Sequence, residues 1–202
     1  MTTRSYVSPV RTAAAAEKRE RVIQAAADLL REAEDIAGFS LDAVAKAAGV
    51  TRLTVYHQFG SRRGLLEAVF DDVAQRGRLT RLSEAMADTN PRRGLGRLIE
   101  IFCDFWNGDP AVARLQDATA LDPEFAQALA ERHERRRKAL DVLVSRIAPA
   151  ALPVAQREAV DLIFALTSFA MFRMLIPARS PEAACAMIKD AAGAAIDRIA
   201  PI

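Results

Sequence analysis

The sequence predicts an all-α protein, and three observations carry that prediction. Alanine, the strongest helix former and a residue depleted from strands, occurs 41 times in 202 residues. No apolar-polar alternation of strand length is present, and no Asn-Gly or Asp-Gly pair joins two apolar runs as a hairpin would need. Apolar residues instead recur at three- and four-residue intervals, between the proline, glycine and small polar residues that start and stop helices.

Residues 1–16 read as a flexible amino-terminal arm, with Pro9 opposing helix there. A first helix is expected from about Glu17, with Val22, Ile23, Ala26, Leu29 and Leu30 on one apolar stripe and a stop near Gly38. Ser40 is placed to cap a short helix, Leu41 to Ala48, which Gly49 ends. Thr51 caps a third helix to about His57, and Ser61 a fourth, longer one to about Ala87, before Pro91. A second helical block follows, with helices at about 92–107, 111–120, 123–147, 154–176 and 181–200, each bounded by proline or glycine. The expected division is an arm at 1–16, a three-helix domain at 17–66 and a second helical domain at 67–202.

Composition narrows the functional classes. With 51% hydrophobic and 27% charged residues the chain has the make-up of a folded domain, not a disordered one. A net charge of +2 neither demands nor excludes a nucleic-acid partner. Two cysteines, Cys103 and Cys185, exclude a disulfide framework and point to a reducing compartment. Two histidines leave no basis for a multi-histidine metal site, and no cofactor motif is present. Residues 1–16 lack the apolar core of a signal peptide, and the most apolar stretch, Leu162 to Phe172, is too short to span a bilayer. A cytoplasmic protein without a membrane partner is expected.

The most informative segment is Phe39 to Phe59, FSLDAVAKAAGVTRLTVYHQF. Leu41, Val44, Ala45 and Ala48 share one face of the first short helix. Ala45 is small where a second helix would cross closely, Gly49 permits a left-handed turn, and Val50 and Val55 close a small core. That spacing suits a helix-turn-helix, although a plain helical hairpin could share it. Thr51, Arg52, Leu53 and Thr54 open the second helix, the end that reaches base edges in a major groove. Tyr56 and His57 follow as donors suited to phosphate oxygens. Arg62 and Arg63 start the fourth helix, where cations oppose the helix dipole and a bound phosphate would explain them. From residue 1 to 75 ten basic residues face ten acidic ones, so the case for DNA rests on placement.

Over Glu17 to about Val73 the sequence resembles the TetR family of transcriptional regulators. The resemblance rests on Phe39, Ser40 and AGVTRLTVYHQFGSRRGLLEAVF, within which Tyr56, Phe59, Ser61, Arg62, Leu65 and Leu66 stand at the family's signature positions. It implies a DNA-binding domain in which Ser40, Thr51, Arg52, Leu53, Thr54, Tyr56, His57 and Arg62 meet the operator. It also implies a carboxyl-terminal domain that dimerises and holds a small effector, in most members a repressor's. The expected partners are a palindromic double-stranded operator, an effector and a second copy of the chain. Two positions depart from the family. Leu53 replaces a small residue and could touch a thymine methyl. Gly64 replaces a frequent acidic residue, so no capping box forms at the fourth helix and its start could be looser.

In the second block LIEIFCDFWNG and LIFALTSFAMFRML are apolar on most sides, which calls for burial against a core and against something more. Phe102, Cys103, Phe105, Trp106, Leu115, Phe169, Phe172 and Arg173 are the candidate lining of an effector pocket, with Met174 beside them; core packing is the plainer reading of the same residues. So apolar a set favours an apolar or aromatic effector. Asp104 and Arg173 are charges within apolar runs that could pair with each other. The run Arg132 to Lys138 reads as a solvated surface that includes His133. Two other classes remain: an all-α small-molecule enzyme, for which no catalytic motif is found, and a helical adaptor with a vestigial helix-turn-helix.

Overall fold

The computed structural model describes residues 9–200, and among them every regular element is helical. In chain order the α-helices are α1 (Pro9–Glu32), α2 (Leu41–Ala48), α3 (Arg52–Phe59), α4 (Arg62–Arg76), α5 (Leu82–Ala87), α6 (Pro91–Gly108), α7 (Pro110–Ala118), α8 (Pro123–Ile147), α9 (Pro153–Leu166), α10 (Phe169–Leu175) and α11 (Pro181–Asp197). The chain divides into two compact units. The first takes the residues up to Val73 together with Pro110–Ala126, and the second takes Ala74–Asp109 and Gln127–Ile202. The described boundary therefore falls within α4, not at residue 66, and α7 groups with the amino-terminal helices.

Part of the expected arm is helix. Residues 9–16 form the first turns of α1, while residues 1–8 lie outside the described residues. Pro9 opens α1, where its missing N–H has no partner to lose and its fixed φ suits the helix. The alanine run that follows propagates it. α1 stops at Glu32, short of Gly38, and the Arg114 guanidinium of α7 donates to the Ala33 carbonyl at 2.8 Å just past its end. Val22, Ile23, Ala26 and Leu30 of α1 are buried with Val44, Ala45 and Ala48 of α2, Val55 of α3, and Leu65, Leu66 and Val69 of α4. These match the inward positions that the apolar spacing predicts for α1 and α2, except Leu29 and Leu41, which are only partly covered.

In the second unit α6 packs against α5 and α11, and α11 against α9. Gly94 permits the α5–α6 approach, because a methyl there would sit 2.5 Å from the Ala85 carbonyl oxygen. Two expected helices are broken. The helix expected from Ser61 to Ala87 ends at Arg76, and Arg78 follows in the left-handed region at φ 58°. The helix expected at 154–176 divides into α9 and α10 at Thr167 and Ser168. There the Thr167 hydroxyl donates to the Ile163 carbonyl at 2.8 Å, and Ser168 Oγ accepts from the Met171 N–H at 3.2 Å, starting a new helix. Among the described residues no single helix is long and apolar enough to cross a membrane; α9 and α10 pass that test only as a pair bent by 55°.

Candidate functional site

The first unit presents a helix-turn-helix built by caps. Ser40 Oγ accepts from the Ala43 N–H at 3.1 Å and starts α2. Gly49 ends α2 at φ 64°, the left-handed turn expected of it, with its N–H returned to the Lys46 carbonyl at 3.3 Å. Two residues later Thr51 Oγ1 accepts from the Thr54 N–H at 3.2 Å and starts α3. Both cap hydroxyls are thus spent on backbone, and Thr51 also shares a 2.9 Å hydrogen bond with the Thr54 hydroxyl. α3 buries Val55 and turns a second face outward. Leu53 is 62% exposed and Tyr56 54% exposed, and Arg52 and His57 are exposed beside them. Arg52 lies 3.2 Å from the Asp42 carboxylate of α2, an exposed pair that orients the side chain more than it stabilises the fold.

Arg62 is placed differently. Its Nε donates to the Phe39 carbonyl at 3.1 Å, its guanidinium lies 5.7 Å from the Phe39 ring, and Asp122 is 3.6 Å away. It ties the start of α4 to the loop before α2 and to the segment before α8. Arg63, exposed next to it, reaches Glu67 at 3.3 Å and Glu124 at 3.1 Å. The start of α4 is not loose: Ser61 Oγ accepts from the Gly64 N–H at 3.0 Å. A side chain at Gly64 has no room, since a methyl there would sit 2.1 Å from the Phe59 carbonyl oxygen.

Of the eight residues expected around an effector, the structure gathers Phe102, Cys103, Phe105, Trp106, Phe169 and Phe172 into the second unit, mostly buried. Leu115 is buried on α7 in the first unit. Arg173 is exposed on α10 and Met174 is 69% exposed, so neither joins the aromatic core. Asp104 lies 3.7 Å from Arg81, which supplies the partner expected of Arg173. Trp106 is the hub. Its ring centroid is 5.7 Å from Phe102, 4.9 Å from Phe105 and 5.7 Å from Phe169, and its indole N–H donates to the Thr167 carbonyl at 3.0 Å.

The run Arg132 to Lys138 is only in part the solvated surface expected of it: Glu134, Arg135 and Lys138 are exposed, while His133 is half-buried and Arg136 is buried. Arg136 is buried, and its guanidinium donates to the same Thr167 carbonyl at 2.8 Å and to the Phe164 carbonyl at 3.4 Å. It lies over the rings of Phe164 (4.4 Å), Phe102 (5.2 Å) and Trp106 (5.9 Å). Burial, with Arg137 adding like charge, pulls its pKa down to about 10. His133 is half-buried, edge-on to Trp106 at 6.5 Å, and burial pulls its pKa down to about 4. The missed signal is register. Phe125, Leu129, Leu140, Leu143 and Val144 line the buried stripe of α8, and position 136 falls within it, seven residues after Leu129 and four before Leu140.

A separate cleft of about 310 Å³ lies between α6 and α11 of the second unit, lined by Glu100, Cys103, Asp104, Cys185 and Lys189 among others. Lys189 bridges to Glu100 at 2.5 Å. The thiols of Cys103 and Cys185 interact with each other, and burial pushes both above the usual thiol range, which leaves them protonated and weakly nucleophilic.

Two capped short helices joined at a glycine turn, with a polar and apolar face exposed on the second, form a helix-turn-helix. Residues 22–69 match the family model of bacterial regulatory proteins, tetR family. It is 34% identical over 114 residues to the HTH-type transcriptional regulator EthR of Mycolicibacterium smegmatis, a match that covers 55% of this chain and 52% of that protein. The chain thus spans about half the length of these curated relatives. Among solved structures, SCO4454, a TetR-family transcriptional regulator from Streptomyces coelicolor, superposes with a TM-score of 0.72 at 20% identity, covering 96% of each chain. The transcriptional regulator FadR from Bacillus subtilis, in complex with stearoyl-CoA, superposes with a TM-score of 0.70 at 18% identity, covering 86% of this chain and 96% of that one. At these identities the two structures share the fold with this chain.

Proposed function

We propose that the chain is a sequence-specific DNA-binding transcriptional regulator, a cytoplasmic homodimeric repressor released from a palindromic operator by a small effector. The observation that carries this reading is the outward face of α3, where Leu53 and Tyr56 stand more than half exposed beside Arg52 and His57 on a helix held by caps at both ends. An exposed leucine and tyrosine on so short a helix are explained by a partner surface. In this reading Arg52, Leu53 and Thr54 meet base edges, while Tyr56 and His57 meet phosphates. Ser40, Thr51 and Arg62 position the reading helix.

A dimer is supported by α9 and α11, which leave Val154, Leu162 and Met187 exposed between small residues. Dimerisation would set two α3 helices about 34–36 Å apart, one turn of B-DNA. An effector in the second unit would act by binding one dimer arrangement better than the other. That FadR holds stearoyl-CoA supports a ligand with a long apolar body for this fold.

Selection of bound DNA from random duplexes tests the reading. A palindromic site is expected, with affinity that falls steeply with salt. Tyr56→Ala should weaken binding about tenfold on every sequence, whereas Arg52→Ala and Thr54→Ala should each relax one base position at about 1–3 kcal/mol. No enriched sequence, or an unchanged preferred site in both variants, would overturn the assignment of α3 and leave the adaptor or enzyme reading.

A further inference from the structure

We propose that the effector is a carboxylic acid, bound as its anion by Arg136 and His133 with its apolar body against the aromatic side chains around Trp106. This deepens the regulator reading and rests on it. Three features of the second unit carry it.

The first is an unbalanced charge. The Arg136 residue is 4% exposed, yet its polar contacts are the carbonyls of Thr167 and Phe164, and the rest of its surroundings are aromatic rings. Among the described residues no carboxylate pairs with it. The nearby acids are taken: Arg137, its neighbour, holds both Glu134 and Asp161. Buried charges are ordinarily paired, so an anion from outside the chain is the missing partner.

The second is a pair of idle polar atoms. Arg136 Nε and His133 Nε2 are both buried without a hydrogen-bond partner, which is uncommon and unfavourable for such groups. Three residues apart on α8, they share one face of the helix. Both side chains also meet the Trp106 ring, Arg136 at 5.9 Å and His133 edge-on at 6.5 Å. With its Nε2 protonated, the neutral imidazole is a donor, and so is Nε of Arg136. Two donors and one positive charge match the two oxygens and single charge of a carboxylate. A phosphate dianion would need more of both.

The third is access. His133 on α8, Phe164 on α9 and Phe169 on α10 are each only partly covered, so the edge of the cluster meets solvent. A ligand entering there would lay its apolar body on Phe169 and Trp106.

The chain has one tryptophan, so Trp106 emission reports on this site alone. The test titrates the full chain at pH 7.5 with octanoate and 4-phenylbutyrate, and with the neutral octanamide and 4-phenylbutyramide. Saturable change is expected with an acid, with the matching amide about tenfold weaker or more. Arg136→Met should abolish acid binding without lowering the melting temperature of the free protein, since a buried unpaired charge is replaced by an apolar chain of similar volume. His133→Phe, a second variant, should weaken acid binding several-fold. Amides that match the acids, acids that fail to bind, or an Arg136→Met protein that keeps its affinity would each overturn the proposal. Operator selection on the same preparations separates the two readings. A selected DNA site without acid binding sinks only the carboxylate site, and acid binding through Arg136 without a selected DNA site sinks only the regulator.

Discussion

Gly64→Ala should lower the melting temperature by about 4–8 °C and weaken operator binding in the same protein. Alanine in a helix ordinarily gains about 0.5–1 kcal/mol over glycine. At this position the added methyl would stand 2.1 Å from the carbonyl oxygen of Phe59, and the atom in the way is backbone. It cannot swing aside as the end of a long side chain would. Relief requires the last turn of α3 or the first turn of α4 to move, and overpacking of this kind costs about 1–3 kcal/mol. For a chain of this length about 2 kcal/mol corresponds to the stated shift.

The α3–α4 joint is already tight. Gly60 sits at φ 73° with its N–H on the Tyr56 carbonyl at 2.7 Å, and Ser61 caps α4 through the Gly64 N–H itself. Displacing either helix would turn the outward face of α3, so DNA affinity should fall further than stability alone explains. Gly96→Ala is the matched control. Its methyl would meet only the flexible end of Lys189 at 3.6 Å, and the substitution should be neutral or stabilising. Thermal unfolding of both variants decides the matter; equal melting temperatures would mean that the α3–α4 joint yields freely.

The contrast between Gly64 read in sequence and Gly64 read in space shows what kind of information each carries. From sequence, the absence of an acidic side chain there suggests a looser helix start. In space it is the residue that lets two helix ends meet. Features set by neighbours along the chain were legible. Ser40, Gly49 and Thr51 each occupy the cap or turn expected of them, because capping and left-handed turns are decided within about four residues. Prolines likewise marked the starts of α6, α8, α9 and α11 within a residue. Features set by packing were not. Thr167 and Ser168 sit in an apolar run that reads as one helix, and only the bonds to Ile163 and Met171 show two. Arg136 carried the wrong composition for a core residue, and a run of five basic residues in seven masked its register with Leu129 and Leu140. Arg62 donates to the carbonyl of Phe39, 23 residues earlier, an acceptor that no local spacing in the sequence points to.

Acid should destabilise this protein well before its carboxylates titrate, and His133 is the reason. Burial holds its folded-state pKa at about 4, against 6.5 for a free imidazole, and the like charge of Arg136 adds to the effect while Glu134 opposes it. The unfolded chain therefore binds a proton at pH 6.5 that the folded chain refuses until pH 4. Between those values the unfolded state holds more protons, so stability falls as pH falls. Above pH 6.5 both states are neutral at this group and its contribution is constant. The loss by pH 4.5 should reach about 2–3 kcal/mol, a large part of the 5–15 kcal/mol typical of a domain. The carboxyl of Asp88 lies outside that window, because hydrogen bonds from Arg93 and the Asn90 N–H hold it below its usual 3.8; its stabilising share is lost only at lower pH. Urea unfolding at pH 7.0, 5.5 and 4.5 measures the slope. His133→Phe removes the titrating group and keeps a ring beside Trp106, so it should flatten the slope between pH 7.0 and 4.5. If the variant keeps the wild-type slope, the acid sensitivity belongs to another group. If the wild-type protein shows no slope at all, His133 is not held neutral, and the desolvated pair it forms with Arg136 is wetter than its burial implies.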